Sequence, residues 1–313
     1  MESLVSSSWF CFASPPLPSH NGMFSRLKEF CCGGCNSMEK LFPLELLSYL
    51  VNLEVISVFD CEKMEEIIGT TDEESSTSNP IAELTLPKLK TLELKSLPEL
   101  KRICNGKLIC NSLEVIHVED CEKLKRMAIS LPLLENGQPI ISSILQQLPP
   151  ILPSHNGIFS RLKKFHCAGR SSMEKLFPLE LLSYLVNLEE IVVTGCERME
   201  EIIGTTDEES STSNPIVELT LPKLTTLQLF GLPELKGICS AKLICNSLRV
   251  IYVSNCAKLK RMAISLPLLE NGQPSPHPSL KIISASPEEW WETVVEWEPP
   301  NAKEVLRPIV HFW

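Results

Sequence analysis

A chain of 313 residues, 43% hydrophobic and 22% charged, is long enough to bury one large core or two ordinary ones. Its net charge of −10 argues against nucleic acid and against membrane surfaces held by basic patches. Thirteen cysteines, an odd number scattered over a long chain, read as the reduced thiols of a cytoplasmic protein and not as a dense secreted disulfide framework.

Residues 1–16 read as a poorly structured N-terminal segment. They have no basic n-region, and their apolar run is too short for a signal peptide. No stretch reaches the ~18 uncharged apolar residues that a membrane span needs. From Leu17 onward the chain repeats itself. Residues 17–139 return as 152–274, ungapped, with about 24 differences. This is the mark of a tandem duplication, with 140–151 as connector and 275–313 as a C-terminal capping segment.

Each copy holds four shorter units. The first, degraded, runs through Leu27, Phe30, Cys32, Cys35, Met38 and Leu41. The second runs through Leu53, Ile56, Val58, Cys61, Met64 and Ile67, and the third through Leu89, Leu92, Leu94, Leu97, Leu100 and Ile103. The fourth begins at Leu113 with Ile116, Val118 and Cys121. The second copy restarts the template at Leu162, Leu188, Leu224 and Leu248, and a truncated ninth unit starts at Leu280 with Ile283 and Ala285. The L-x-L step has period 2, which puts both apolar side chains on one face of a short strand. One unit cannot bury that face alone, but stacked units can. The expected fold is an α/β repeat solenoid: a leucine-rich-repeat horseshoe with a concave parallel sheet and irregular loops or short helices on the convex side. Cys61, Cys121, Cys196 and Cys256 share one template slot and read as structural thiols.

Chemistry-bearing motifs are sparse. Cys31, Cys32 and Cys35 have a spacing that could hold half of a zinc site, but the second copy has His166, Cys167 and Arg170 there, so no metal is expected. Neither a phosphate loop nor a nucleophile elbow occurs. The Ser/Thr/acidic run up to Pro80 lacks calcium-loop spacing and reads as a solvated insertion. No catalytic residue, no cofactor and no enzymatic activity is expected.

The differences between copies concentrate at the x positions of the strands. Glu29 and Cys31 become Lys164 and His166, and Gly33 becomes Ala168. Val55, Ser57 and Phe59 become Glu190, Val192 and Thr194. Glu93 and Lys95 become Gln228 and Phe230, and His117 and Glu119 become Tyr252 and Ser254. Strand alternation places these side chains opposite the core, on the concave face of the expected solenoid. All of them except Gly33 and Ala168 are the candidate protein-binding residues. The acidic loop 69–80 is identical in its copy, 204–215, which favours diversification of a binding face over neutral drift.

The Leu/Ile/Cys template, with L-P-x-L-x-x-L at Leu86, Leu97 and Leu221, resembles the leucine-rich-repeat region of plant disease-resistance proteins of the coiled-coil nucleotide-binding class. The tail from Ser286 through Trp290, Trp291, Val294 and Trp297, then Asn301 to Pro308, resembles the segment that closes those repeats, and physically it reads as an apolar cap. The resemblance implies a module that senses a pathogen effector or a modified host protein and restrains a nucleotide-binding switch. With no phosphate loop here, that switch would sit on another chain, or the chain would be a fragment. The alternatives are a substrate-binding adaptor of ubiquitin-ligase type, a small-ligand receptor with a pocket between coils, and a non-functional fragment of a duplicated gene.

Overall fold

The computed structural model describes residues 24–69, 83–104, 107–125, 159–204, 218–270, 272–297 and 301–313. The N-terminal segment, the connector and most of both acidic loops lie outside them.

Among the described residues, every unit contributes one strand to a ten-stranded parallel sheet. In the first copy these strands are Glu29–Gly33, Val55–Phe59, Thr91–Lys95 and Val115–Glu119. In the second they are Lys164–Ala168, Glu190–Thr194, Thr226–Phe230 and Val250–Ser254. The ninth unit adds Ile282–Ser286, and the sequence's extreme end adds a tenth strand, Val310–Phe312, which the repeat template did not anticipate. Register is uniform: Ile56 pairs with Leu92, Leu92 with Ile116, and Ile191 with Leu227. The two inward template positions of each strand, Leu, Ile or Val except at Phe165, Cys167 and Ala285, are buried from Val55–Phe59 to Ile282–Ser286, which makes two continuous apolar columns. Each fully buried side chain of this kind stabilises by roughly 1.5–3 kcal/mol.

The 49-residue step between Leu113 and Leu162 does not interrupt the ladder. Val115–Glu119 pairs directly with Lys164–Ala168, template on template. The Lys163 backbone N–H donates to Glu114 O at 2.8 Å, and the Arg170 N–H donates to the Asp120 carboxylate at 3.0 Å. The two copies therefore form one sheet.

The return side is more regular than its x-x-L-x-x-I spacing suggests. Short strands Lys40–Pro43, Glu66–Gly69 and Arg102–Cys104 form a second parallel ladder, matched in the other copy by Lys175–Pro178, Glu201–Gly204 and Gly237–Cys239. Single 3-10 turns, Leu44–Tyr49 and Leu179–Tyr184, supply helical content. The Cys slot works as read: Cys121 is buried and its thiol donates to Glu119 O at 3.4 Å. Burial pushes that thiol's pKa up to about 12.

The C-terminal segment packs onto the last rungs. Trp290, Trp291 and Trp297 are buried, and the Trp290 indole N–H donates to Leu259 O at 2.9 Å. Ala302 and Leu306, on the short helix Ala302–Leu306, add to the same cluster.

Candidate functional site

Parallel pairing stacks the x positions into three columns on the sheet face away from the core. The outer column runs Glu29, Val55, Thr91, Val115, Lys164, Glu190, Thr226, Val250. The middle column runs Cys31, Ser57, Glu93, His117, His166, Val192, Gln228, Tyr252, then Ser284 and His311. The third runs Gly33, Phe59, Lys95, Glu119, Ala168, Thr194, Phe230, Ser254. The candidate residues named above are exposed or half-buried here, apart from Ser254. Ser254 is 5% exposed, so it offers little to a partner; its two-atom side chain stands beside the cross-strand Phe230.

Thr91, Val115, Thr226 and Val250 occupy the same face, yet copy comparison passed over them because they are identical in both copies. Ser284 and His311 were passed over because the ninth and tenth strands have no duplicate. Their signal was the register itself.

The face has two chemistries. Near the copy junction it is charged. The His117 and His166 rings meet edge to face with centroids 5.7 Å apart. Glu119 Oε2 lies 3.5 Å from His117 Nε2 and 4.0 Å from Lys95 Nζ. Glu190 lies 3.6 Å from His166 Nε2 and 3.3 Å from Lys164 Nζ. His166 Nε2 is buried and has no hydrogen-bond partner within reach. Burial and Lys95 push the His117 pKa below the ordinary imidazole value, against the pull of Glu119. Further along, the face turns apolar: Phe230 and Tyr252 stack at 6.4 Å, with Val192 and Thr194 on the strand preceding theirs in the sheet. The Lys95–Glu119 pair is exposed on both sides, and such pairs contribute little to folding. Half-exposed aromatic pairs are the side chains from which binding hot spots are built.

A concavity among the described residues lies beside this face, at the copy junction. It is an open cleft of about 860 Å³, lined by Lys101, Glu122, Lys123, Lys125, Arg170 and Arg198 among others. Charged walls do not make the mostly apolar, enclosing site that small molecules require. Cys31 and Cys32, adjacent in the sequence, point to opposite sides of the sheet: Cys31 is exposed and Cys32 is buried.

Residues 11–132 and 140–266 match the family model described as plant disease resistance protein RPS2-like, leucine-rich repeats. One stretch is similar to "Probable disease resistance protein At4g27220" of Arabidopsis thaliana, 37% identical over 103 residues. That alignment covers 33% of this chain and 11% of the relative. Another is similar to "Disease resistance protein RPS5" of the same plant, 33% identical over 106 residues, covering 34% of this chain and 11% of the relative.

Proposed function

The chain belongs to the RPS2-like leucine-rich-repeat family of plant disease resistance proteins, and from that premise we propose that it is the protein-recognition module of an innate-immune receptor. Its open sheet face binds a pathogen effector or a modified host protein, and recognition, not catalysis, is its task. A nucleotide-binding switch, carried on another chain or elsewhere in a longer protein, is the second partner this reading implies. The module works in the cytoplasm, where such a switch operates; no helix among the described residues is long and apolar enough to cross a membrane.

One observation supports this reading above the others. Of the twelve positions that the first copy places in these three columns, ten differ in the second copy, while the eight apolar positions behind them are unchanged. An adaptor of ubiquitin-ligase type would use the same face, so the two readings differ in what docks at the chain's other surfaces.

The test is capture from plant tissue challenged with pathogen, using the folded chain and a variant with Glu190, Val192, Phe230 and Tyr252 all changed to Ala. Truncating a true hot spot costs about 2 kcal/mol or more, so the specific partner should be lost. An unchanged set of partners would refute the role of this face, and co-capture of ligase subunits would favour the adaptor.

A further inference from the structure

Cys32, Cys35 and Cys61 bring three sulfurs within 4.8 Å of one another. Read along the sequence, Cys32 and Cys35 are only half of a site, because the third thiol lies 26 residues after Cys35, on the next unit. Parallel stacking supplies it. Cys35 and Cys61 occupy the same template slot on adjacent rungs, and the Cys35 backbone N–H donates to Cys61 Sγ at 3.4 Å. Cys32 enters from the buried side of strand Glu29–Gly33. Its cross-strand partner is Val58, and its duplicate Cys167 is likewise buried, so the slot packs a thiol in both copies and what sets the first copy apart is the third sulfur, on Cys35.

We propose that Cys32, Cys35 and Cys61 form a three-thiolate site for a soft divalent cation of the zinc class. Around a four-coordinate zinc, with Zn–S of ~2.3 Å, sulfurs lie roughly 3.8 Å apart. The three sulfurs therefore close on the ion through small movements about single side-chain torsions. Thiolate sulfur selects such cations over magnesium or calcium. Loading is a proton exchange without redox change: M²⁺ and three thiols give the metal tris-thiolate and three protons. Cys35 is only half-buried, so the fourth position opens on that side to water. The bound ion ties the first unit to the second. Among the described residues, strand Glu29–Gly33 has a single neighbour in the sheet. In a stack stabilised by nearest-neighbour contacts, that rung gains most from a cross-link.

The second copy is a built-in control. Cys167 and Cys196 hold their sulfurs 3.4 Å apart, but Arg170 stands where the third ligand would be. The experiment titrates the purified full chain, kept reduced with a phosphine, with cadmium as spectroscopic probe and with zinc against a chromophoric chelator. The wild type should take up one ion per chain with the ultraviolet band of cadmium thiolate. Cys35→Arg, a residue the fold already accommodates at the matching position, should weaken uptake by at least about 100-fold, more than the loss of a supporting residue. Arg170→Cys should raise the stoichiometry to two, and Cys31→Ser should leave it at one. A folded, fully reduced chain that takes up no cadmium would overturn the proposal. So would uptake indifferent to Cys35→Arg, or an Arg170→Cys variant that still binds one ion.

Discussion

Every unit strand of the two copies is followed by a residue in left-handed backbone: Gly34, Asp60, Ser96, Asp120, Gly169, Gly195, Gly231 and Asn255, with φ between 48° and 71°. Seven are Gly, Asp or Asn, the residues that tolerate this region. Ser96, at φ 52°, is the exception, and its duplicate is Gly231 at φ 60°. The left-handed conformation costs an L-residue roughly 1–2 kcal/mol, and glycine's extra unfolded freedom returns roughly 0.5–1 kcal/mol of that. Ser96→Gly should therefore stabilise the rung by about 0.5–1 kcal/mol, and Gly231→Ser should destabilise its own by a similar amount. The reverse change meets no steric obstacle, because a Cβ at Gly231 would lie 3.8 Å from Gly195 backbone atoms, an ordinary contact. Repeat arrays can depart from two-state unfolding, so the local readout is amide hydrogen exchange. The relevant amides are those of Ser96 and Leu97, which donate to Glu119 O at 2.9 Å and Asp120 O at 3.2 Å. They should exchange about 2–5-fold more slowly in Ser96→Gly, since 1.4 kcal/mol is tenfold. Because the two sites lie several rungs apart, the double variant should show both local effects, with global stability near that of the wild type. Faster exchange in Ser96→Gly, or no effect of Gly231→Ser, would refute the conformational argument.

Three further outcomes follow from packing and charge. Trp291→Ala removes a 1%-exposed ring and should cost about 3–5 kcal/mol; exchange should accelerate more at Ile282–Ser286 than at Val55–Phe59, and equal acceleration would mean that the tail does not act as a local cap. Burial pushes Cys110, Cys121 and Cys245 up to about 12, above their unfolded values, so the folded chain keeps protons that the unfolded chain releases. Stability should hold below about pH 8.5 and fall as pH rises toward 12, with Cys121→Ala flattening the fall in urea midpoint; a midpoint independent of pH over that window would contradict the burial. Arg102 is ion-paired with Glu66, a carboxylate only 5% exposed, so Arg102→Met should cost about 1–3 kcal/mol and a second change, Glu66→Gln, should recover part of it; absence of recovery in denaturant titrations would sink the ion-pair account.

The sequence made the sheet legible because its periodicity of two is enforced at every unit: Ile56 and Val58, or Leu227 and Leu229, have no other way to share a buried face. The apolar packing of the tail was legible from Trp290, Trp291, Val294 and Trp297. Its last strand was not, because Val310–Phe312 adds to the sheet without the leucine template. The return-side ladders were hidden for a related reason. Strands of three or four residues, such as Arg102–Cys104, are too short to show alternation, and their pairing is set by the stacking of whole units. On the candidate face, copy comparison found the residues that differ and missed Thr91 and Val115, since a position that has not changed leaves no difference to read. The thiol cluster was half visible for the opposite reason: its third member is adjacent only across rungs, 26 residues on.

The way the copies differ separates two kinds of constraint. At the left-handed positions, Asp60 has become Gly195, Ser96 has become Gly231 and Asp120 has become Asn255. Identity changes there, but each replacement is at least as tolerant of positive φ, because backbone geometry is what that position must satisfy. One residue earlier, on the open face, Phe59 has become Thr194, Lys95 has become Phe230 and Glu119 has become Ser254. Charge, aromaticity and volume all change there, with the strand register intact in both copies. The ladder is held by backbone hydrogen bonds and by the buried columns behind it. The chemistry of this face can therefore change while the register of the sheet stays the same. The charged centre around His117 and His166 and the aromatic patch at Phe230 and Tyr252 are two settings of one scaffold placed on a single continuous face.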